Sequence, residues 1–221
     1  MRTDCVCRWC HKSIRYEGSF REMFQIDDVL CQHCRSQMSI RQGIYGKDNL
    51  RFEGMYVYEG VVRDMILQYK ENYDEALFSV FLYPYVRQLK RKYRKYTVVP
   101  VPSSTERIRE RGFRHVDRMF SLLDLPLEDL LIKTDNVEQK YSYHRERIAG
   151  HFRLADHQIY SHTPILLVDD IVTTGASMSA CYALLRQKYD FIRCFSVCFS
   201  AKFVKNALLF TNYPFKRIIR V

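Results

Sequence analysis

The stretch Pro164-Ile-Leu-Leu-Val-Asp-Asp-Ile-Val-Thr-Thr-Gly-Ala-Ser177 decides the fold of this chain. Its first part, residues 165–168, is an apolar run without polar alternation, which is typical of a strand covered on both faces in a parallel sheet. Small hydroxylated residues and a glycine follow. After Ser177 the apolar residues Cys181, Leu184 and Leu185 recur at helical spacing. The pattern predicts a strand, a tight loop and the beginning of a helix.

The predicted loop has the composition of an anion-binding site. Residues 173–177 offer hydroxyl groups, a glycine that can adopt positive φ, and side chains small enough for a ligand to approach the backbone. The N–H groups at the start of a helix attract phosphate. The alternative is an ordinary turn between strand and helix, in which a hydroxyl caps the helix and water solvates the acids.

The loop resembles the phosphoribosyl-diphosphate (PRPP) loop of type I phosphoribosyltransferases, in which an apolar strand and two acids precede Thr-Thr-Gly-x-Ser/Thr. The resemblance implies that hydroxyl and N–H groups bind the 5′-phosphate, and that the acids accept hydrogen bonds from the ribose hydroxyls. It also implies Mg²⁺ bound together with PRPP. The predicted PRPP-binding residues are Asp169, Asp170, Thr173, Thr174, Gly175, Ala176 and Ser177.

Length and composition limit the class of protein. A chain of 221 residues can form one sizeable α/β domain with a small appendage. Its 47% hydrophobic and 27% charged residues are typical of a folded soluble protein. Because no 18-residue apolar run or signal-peptide pattern occurs, we expect a cytoplasmic protein without a membrane span. In that reducing compartment, the eight cysteines are expected to be thiols or metal ligands.

Two Cys-x-x-Cys motifs near the beginning of the chain predict a structural zinc site. Each motif presents two thiolates to one tetrahedral ion, and four thiolates leave no open position for catalysis. Unrelated cytosolic thiols are the alternative. The predicted ligands are Cys7, Cys10, Cys31 and Cys34, and nearby alternatives in the sequence are Cys5, His11 and His33.

Strands that alternate with helices predict an α/β fold with a parallel sheet. By the resemblance, this sheet is like that of type I phosphoribosyltransferases, and the cysteine motifs add a small N-terminal four-cysteine zinc module. We expect the zinc-binding module at 1–45 and the phosphoribosyltransferase-like domain at 51–221. Residues 36–50, with Gly43 and Gly46, are predicted to be a linker into the main domain. The predicted elements are strands at 51–58, 97–102, 191–199 and 215–221, and helices from Gly60 and over 74–82. Cys181, Cys194 and Cys198 lie in apolar segments and are predicted core thiols.

The formal net charge of +10 is concentrated in one part of the chain. Residues 87–118 contain eleven bases and three acids, which predicts an anionic partner. Tyr93 and Tyr96 are available to stack on bases of single-stranded DNA. The alternative is a solvated helix end whose cations favour the helix dipole. The nucleic-acid candidates are Lys90, Arg91, Lys92, Arg94 and Lys95.

Further segments make the resemblance more specific. Residues 58–63, Lys70, Val99-Pro-Val-Pro102 and Arg111-Gly-Phe113, together with the zinc motifs and the loop, resemble the ComF/ComFC family of competence proteins over nearly the whole chain. The family usually has Asn-Gln where this chain has Arg114-His115, and the resemblance assigns these two residues no role.

This resemblance implies a pyrophosphate-side loop after Pro102 and a flexible hood over the ligand at 133–147, with Gln139 at a polar position of the family. From the residues alone, the hood segment could be disordered and have no function. Arg107 and Arg111 could be ordinary solvent-exposed charges on a helix. The predicted pyrophosphate and hood residues are Ser103, Ser104, Arg107, Arg111, Arg145 and Arg147.

The resemblance also implies a role in natural transformation. The protein would handle incoming single-stranded DNA beside a ComFA-like helicase or ATPase partner. The alternative is a catalytically active phosphoribosyltransferase that acts on an unidentified acceptor, because a fold and a binding loop do not determine the chemistry.

Overall fold

A computed structural model of the chain describes residues 6–14, 29–47, 49–134, 151–157, 159–160 and 162–211. Cys5 lies outside these residues, as do most of the predicted hood, with Gln139, Arg145 and Arg147, and the predicted edge strand at 215–221.

A six-stranded sheet in the order β3-β6-β7-β2-β1-β8 forms the centre of the described structure. Strands β3, β6, β7 and β2 run parallel, whereas β1 is antiparallel to both of its neighbours. Strands β4 and β5 form a separate antiparallel pair. The strands are β1 (Ile40–Lys47), β2 (Leu50–Val57), β3 (Thr97–Pro100), β4 (Leu131–Lys133), β5 (Phe152–Leu154), β6 (Ile165–Val172), β7 (Ile192–Phe199) and β8 (Leu208–Thr211). The mostly parallel central sheet confirms the predicted α/β class.

Helices connect the parallel strands. The α-helices are α1 (Gln32–Ser36), α2 (Gly60–Lys70), α3 (Val86–Tyr93), α4 (Thr105–Arg111), α5 (His115–Phe120), α6 (Ala176–Leu185) and α7 (Ala201–Asn206). Short 3-10 helices occupy Glu75–Ser79, Tyr83–Tyr85 and Ser121–Leu123. None of the helices in the described part of the chain is both long and apolar enough to cross a membrane.

Strand β6 is buried on both faces, as its continuous apolar sequence predicts. Leu166 and Val168 pack into a core cluster with α2, α3 and α5, and Ile165 and Leu167 pack into a second cluster with α6 and α7. All four side chains are fully buried. The sheet therefore lies between two helical layers, with β6 flanked by β3 and β7.

The predicted core thiols are confirmed. Cys181, Cys194 and Cys198 are free and buried in the sheet and in α6. Burial raises the pKa of Cys194 to about 12, with a smaller contribution from Glu53, so this thiol stays protonated at neutral pH.

The predicted linker at 36–50 is wrong in its central part, because Ile40–Lys47 forms strand β1 of the main sheet. Glycine suggested a linker, but Gly46 serves packing instead. A Cβ atom at Gly46 would clash with the ring of Phe210, a residue of β8. Glycine at a strand interior often marks such a close approach.

The predicted helix over 74–82 is also wrong. Residues Glu75–Ser79 form a 3-10 helix instead, in which the N–H of Leu77 donates to the carbonyl of Asp74. The next three residues, Val80, Phe81 and Leu82, are all fully buried. A regular helix on the surface of the sheet buries one face only, so it would expose part of this run.

Candidate functional site

The loop after β6 has the predicted arrangement of strand, loop and helix. Gly175 adopts a φ of 85° immediately before α6, and a Cβ atom there would lie 3.3 Å from the ring of Phe203. Both the backbone angle and the space favour glycine. The N–H of Ala176 donates to Oγ1 of Thr174 at 3.3 Å. Thr173, Thr174 and Ser177 are exposed, so this end of the loop is open to a ligand.

Lys47 also reaches this loop, although no sequence pattern indicated it. Its Nζ donates a hydrogen bond to the carbonyl of Thr174 at 2.6 Å and lies 5.6 Å from the centre of the Phe203 ring. The contact joins residues separated by 127 positions. Lys47 ends strand β1, in the segment predicted to be a linker, and it adds a cation beside the hydroxyl groups of the loop.

The two acids at the end of β6 have different environments. Asp170 is 4% exposed, and its Oδ2 lies 2.7 Å from Nζ of Lys70 and 3.2 Å from Nε2 of His115. Its Oδ1 accepts the N–H of Ile171 at 2.8 Å. Asp169 is partly exposed, and its Oδ1 accepts the N–H of Asp170 at 2.9 Å. Asp170 is therefore held inside the protein.

These environments shift the pKa values in opposite directions. Burial by itself would raise the pKa of Asp170, but the cationic Lys70 and the adjacent His115 lower it well below its usual range. The pKa of Asp169 is raised well above its usual range by burial, and further by the negative charge of Asp170. The neighbouring carboxyl groups thus favour different protonation states.

Arg111 belongs to the same buried network. Its Nε donates to the carbonyl of Lys70 at 2.9 Å, and its NH1 lies 2.7 Å from Nδ1 of His115. Tyr69 donates a hydrogen bond from its hydroxyl to the carbonyl of His115 at 2.8 Å. No role was predicted for Lys70 or His115, because their proximity to Asp170 depends on how α2, α5 and β6 pack. The predicted role of Arg111 beside a diphosphate stays a prediction.

The predicted pyrophosphate-side loop lies beside the end of β6. The N–H of Val101 donates to the carbonyl of Val168 at 2.8 Å, so the loops after β3 and β6 begin side by side. Ser104 caps α4 by accepting the N–H of Arg107. Ser103 is half-buried and the Arg107 side chain is exposed. The structure therefore brings the two loops together at the carboxyl edge of the parallel strands.

The four predicted zinc ligands lie together. The Sγ atoms of Cys7, Cys10, Cys31 and Cys34 are all within 4.8 Å of one another. The distance from Cys10 to Cys31 is 3.7 Å, close to the roughly 3.8 Å edge of a tetrahedron with zinc–sulfur bonds of about 2.3 Å. Among the described candidates, neither His11 nor His33 belongs to the cluster. This donor set fits a structural zinc ion.

The thiols of the cluster differ in their pKa values, since burial raises the pKa of Cys31 and of Cys34. Burial raises the pKa of Cys7, but N–H groups of Cys10, Cys31 and Trp9 donate to its sulfur and bring the pKa down to about 7. The cluster also packs against the main domain, since buried Arg35 donates to the carbonyl of Val80 at 2.6 Å.

The predicted nucleic-acid residues divide into two groups. Lys90 pairs with Asp124 at 3.0 Å, and Lys92 pairs with the buried Glu53. The side chains of Arg91, Arg94 and Lys95 are exposed. This second group is the part of the segment that is open to an anionic partner.

The prediction that Tyr93 could stack on bases is wrong. Its side chain is 1% exposed, and its hydroxyl donates to Glu53 at 2.7 Å. Its ring packs edge-on against Tyr96 and Phe195. The helix α3 turns this tyrosine into the core because it shares the buried face with Leu89.

Fold and site together define an α/β protein with a four-cysteine cluster and an acidic strand end that leads into a hydroxyl-rich loop. Two curated relatives are similar over most of the chain. They are competence protein ComFC of Bacillus subtilis (strain 168), which is 22% identical over 83% of this chain and 89% of the relative, and competence protein ComFC of Streptococcus pneumoniae (strain ATCC BAA-255 / R6), which is 28% identical over 85% and 84%. Over most of its length the chain is similar to these ComFC competence proteins, in agreement with the resemblance of its motifs.

The remaining comparisons add little. No family model matches the chain. Among solved structures, adenine phosphoribosyltransferase from Saccharomyces cerevisiae is 14% identical, covers 82% of this chain and 97% of its own, and has a TM-score of 0.42. Another adenine phosphoribosyltransferase is 16% identical, covers 60% and 74%, and has a TM-score of 0.39.

We expect the two acids to respond differently to loss of their charge. Asp170→Asn leaves Lys70 without its buried partner and should lower the free energy of unfolding by about 3–5 kcal/mol at neutral pH. Asp169→Asn should preserve or increase stability. A carboxyl whose folded pKa is raised loses stability as the pH rises above its unfolded pKa, and the amide removes this cost. Urea unfolding measures both, and equal destabilisation by the two variants would contradict the assignment.

Metal analysis of the purified chain should find one zinc ion per molecule. Cys31→Ser removes one of four ligands, so it should reduce the bound zinc and lower stability, since structural zinc supplies on the order of 10 kcal/mol in isolated modules. Cys194→Ala is the matched control, because it removes a buried thiol outside the cluster and should retain the metal. Unchanged zinc content in Cys31→Ser would refute the site.

Proposed function

We propose that this chain is a PRPP-binding protein of natural transformation. The observation that carries the proposal is the exposed, hydroxyl-rich loop 173–177, which follows two acids at the carboxyl end of a central parallel strand. Ligands of open α/β sheets bind at this edge. The ComFC relatives, which are named as competence proteins, support the assignment to DNA uptake.

Each part of PRPP has complementary chemistry in the described structure. The 5′-phosphate would bind to N–H and hydroxyl groups of the loop, and the ammonium group of Lys47 would add a positive charge beside them. The partly exposed Asp169 would accept hydrogen bonds from the ribose. Ser103 and Arg107 would face the diphosphate across the neighbouring loop, and Mg²⁺ would neutralise part of its charge.

A second candidate function is phosphoribosyl transfer to an unidentified acceptor. The observation that favours it is that the loops after β3 and β6 begin side by side at the carboxyl edge of the sheet, with the partly exposed Asp169 between the core and the loop 173–177. Incubation with PRPP, Mg²⁺ and a panel of bases and DNA acceptors tests it. Release of pyrophosphate above the buffer rate supports transfer, and PRPP binding without release from any acceptor opposes it.

The exposed cations at the end of α3 suit single-stranded DNA. Arg91, Arg94 and Lys95 extend from one short stretch and could follow a phosphate backbone. A ComFA-like helicase or ATPase would act beside the protein and deliver the strand. This partner is proposed from the family, and an interaction assay between the two purified proteins tests it.

Calorimetric titration should detect PRPP in the presence of Mg²⁺. Lys47→Met removes a charge-assisted contact of about 1.5–3 kcal/mol, so PRPP affinity should fall by roughly tenfold or more. Lys188→Met removes the same charge from an exposed position away from the loop and serves as the control. Equal losses in the two variants would mean that only the overall charge matters, and an absence of binding by the unmodified chain would refute the proposal.

DNA affinity should depend strongly on salt. If the three exposed cations contact phosphates, replacing Arg91, Arg94 and Lys95 with Ala should make the slope of log affinity against log salt less steep by about 2, because each contact on a single strand contributes about 0.7. The matched control replaces Lys188, Lys202 and Lys205, which are also exposed. The same change of slope in both variants would contradict a localised DNA surface.

A further inference from the structure

His115 occupies a buried position between two charged groups. It is 5% exposed, with Nδ1 2.7 Å from NH1 of Arg111 and Nε2 3.2 Å from Oδ2 of Asp170. Nδ1 is therefore within hydrogen-bonding distance of Arg111, and Nε2 lies beside a buried carboxylate oxygen whose contacts with the ring and with Lys70 are ion pairs rather than well-directed hydrogen bonds. Arg111 is 7% exposed, so water cannot easily replace the histidine on either side.

The identity of these partners determines the tautomer of the ring. A guanidinium group has N–H donors and no acceptor, so Nδ1 must carry its lone pair towards Arg111. A neutral imidazole with an unprotonated Nδ1 has its hydrogen on Nε2, on the side of the ring that faces the carboxylate of Asp170. Protonation of Nδ1 would place two donors face to face at 2.7 Å.

The contact with His115 completes the set of partners around Asp170. Lys70 lies at the same Oδ2 atom, while the N–H of Ile171 occupies Oδ1. A carboxylate held from three directions cannot rotate freely. Because Asp170 directly follows Asp169 on β6, and the loop 173–177 begins three residues later, the orientation of this carboxylate influences the strand end from which the loop starts.

We propose that His115 is a positioning residue that, in its neutral Nε2–H form, joins Arg111 to Asp170 and fixes the strand end that carries the phosphate loop. In this arrangement Asp170 anchors the strand within the protein, and Asp169 is the acid that faces the ligand. The consequence for PRPP rests on the proposed function, whereas the histidine linkage itself does not.

Acid should disrupt this linkage. The groups that face His115 are Lys70 and Tyr69 from α2, Arg111 from α4 and Asp170 from β6, and its own helix carries Asp117, paired with Arg114. The pKa of His115 is lowered, mainly by burial and in addition by the positive charges of Lys70 and Arg111. Asp170 raises this pKa, but by less than burial lowers it. A histidine with a lowered folded pKa stabilises the protein fully above its unfolded pKa of about 6.5, and this stability is lost as the pH falls below that value.

Glutamine can replace both contacts without titrating. In His115→Gln, the amide oxygen can accept from Arg111 while the amide nitrogen donates to Asp170. His115→Ala removes both contacts and leaves the guanidinium and the carboxylate without this partner. The glutamine variant therefore keeps the linkage and removes only its dependence on pH, which a purely space-filling role would not predict.

The first experiment uses nitrogen NMR of the full chain with labelled histidine. At neutral pH the ring of His115 should show a protonated Nε2 and an unprotonated Nδ1, and this signal should be absent from His115→Gln. A proton on Nδ1, or a charged ring at neutral pH, would overturn the proposal.

The second experiment compares urea unfolding from neutral pH down to below the ordinary pKa of histidine, about 6.5. The stability of the unmodified chain should fall more steeply than that of His115→Gln, and His115→Ala should be less stable than both at neutral pH. Parallel pH profiles for the unmodified chain and the glutamine variant would overturn the proposal.

PRPP affinity provides the third readout. At neutral pH, His115→Gln should bind within about twofold of the unmodified chain, and His115→Ala roughly tenfold more weakly, the size of effect expected when one hydrogen bond to a charged group is lost. Equal weakening by Gln and Ala would overturn the positioning role. If the unmodified chain fails to bind PRPP at all, the proposed function fails, and the NMR and unfolding experiments still decide the role of His115.

Discussion

The burial of β6 on both faces is the constraint on which the rest of the structure depends. A strand between two helical layers favours apolar residues, and the first four residues of β6 are apolar and fully buried. In β6 the acidic residues begin only after this apolar run. The two acids and the hydroxyl-rich loop therefore lie together at the carboxyl edge of the sheet, beside the loop that follows β3.

The acid closest to the core creates a second constraint. A buried carboxylate is costly unless other groups satisfy its charge and hydrogen-bonding capacity. Lys70 and His115 lie within ion-pair distance of Oδ2 of Asp170, and the N–H of Ile171 donates a hydrogen bond to Oδ1. These groups come from three separate parts of the chain. This network links α2, α4, α5 and β6 next to the loop 173–177, so the packing of these helices determines the surroundings of the strand end from which the loop starts.

The basic segment shows why net charge overstates the surface available to an anionic partner. Glu53 is buried beneath α3, where Lys92, Tyr93 and Arg193 surround its carboxylate. Lys92 and Arg193 therefore neutralise the charge of a buried acid, and Lys90 pairs with Asp124. Among the predicted nucleic-acid residues, the cations that remain exposed are Arg91, Arg94 and Lys95.

The amino-acid sequence by itself determined the features that depend on residues close together in the chain. The strand, loop and helix of residues 165–185, the four-cysteine cluster and the core thiols follow from spacing and local composition, so the amino-acid sequence alone was enough to predict them. Tertiary packing alone decided that β1 is a strand, that Tyr93 faces the core, that Lys47 reaches the loop and that His115 meets Asp170. Each of these depends on a partner far away in the chain, such as Phe210 for Gly46 and Thr174 for Lys47. Sequence spacing carries no information about such contacts, because they arise only when separate helices and strands pack together.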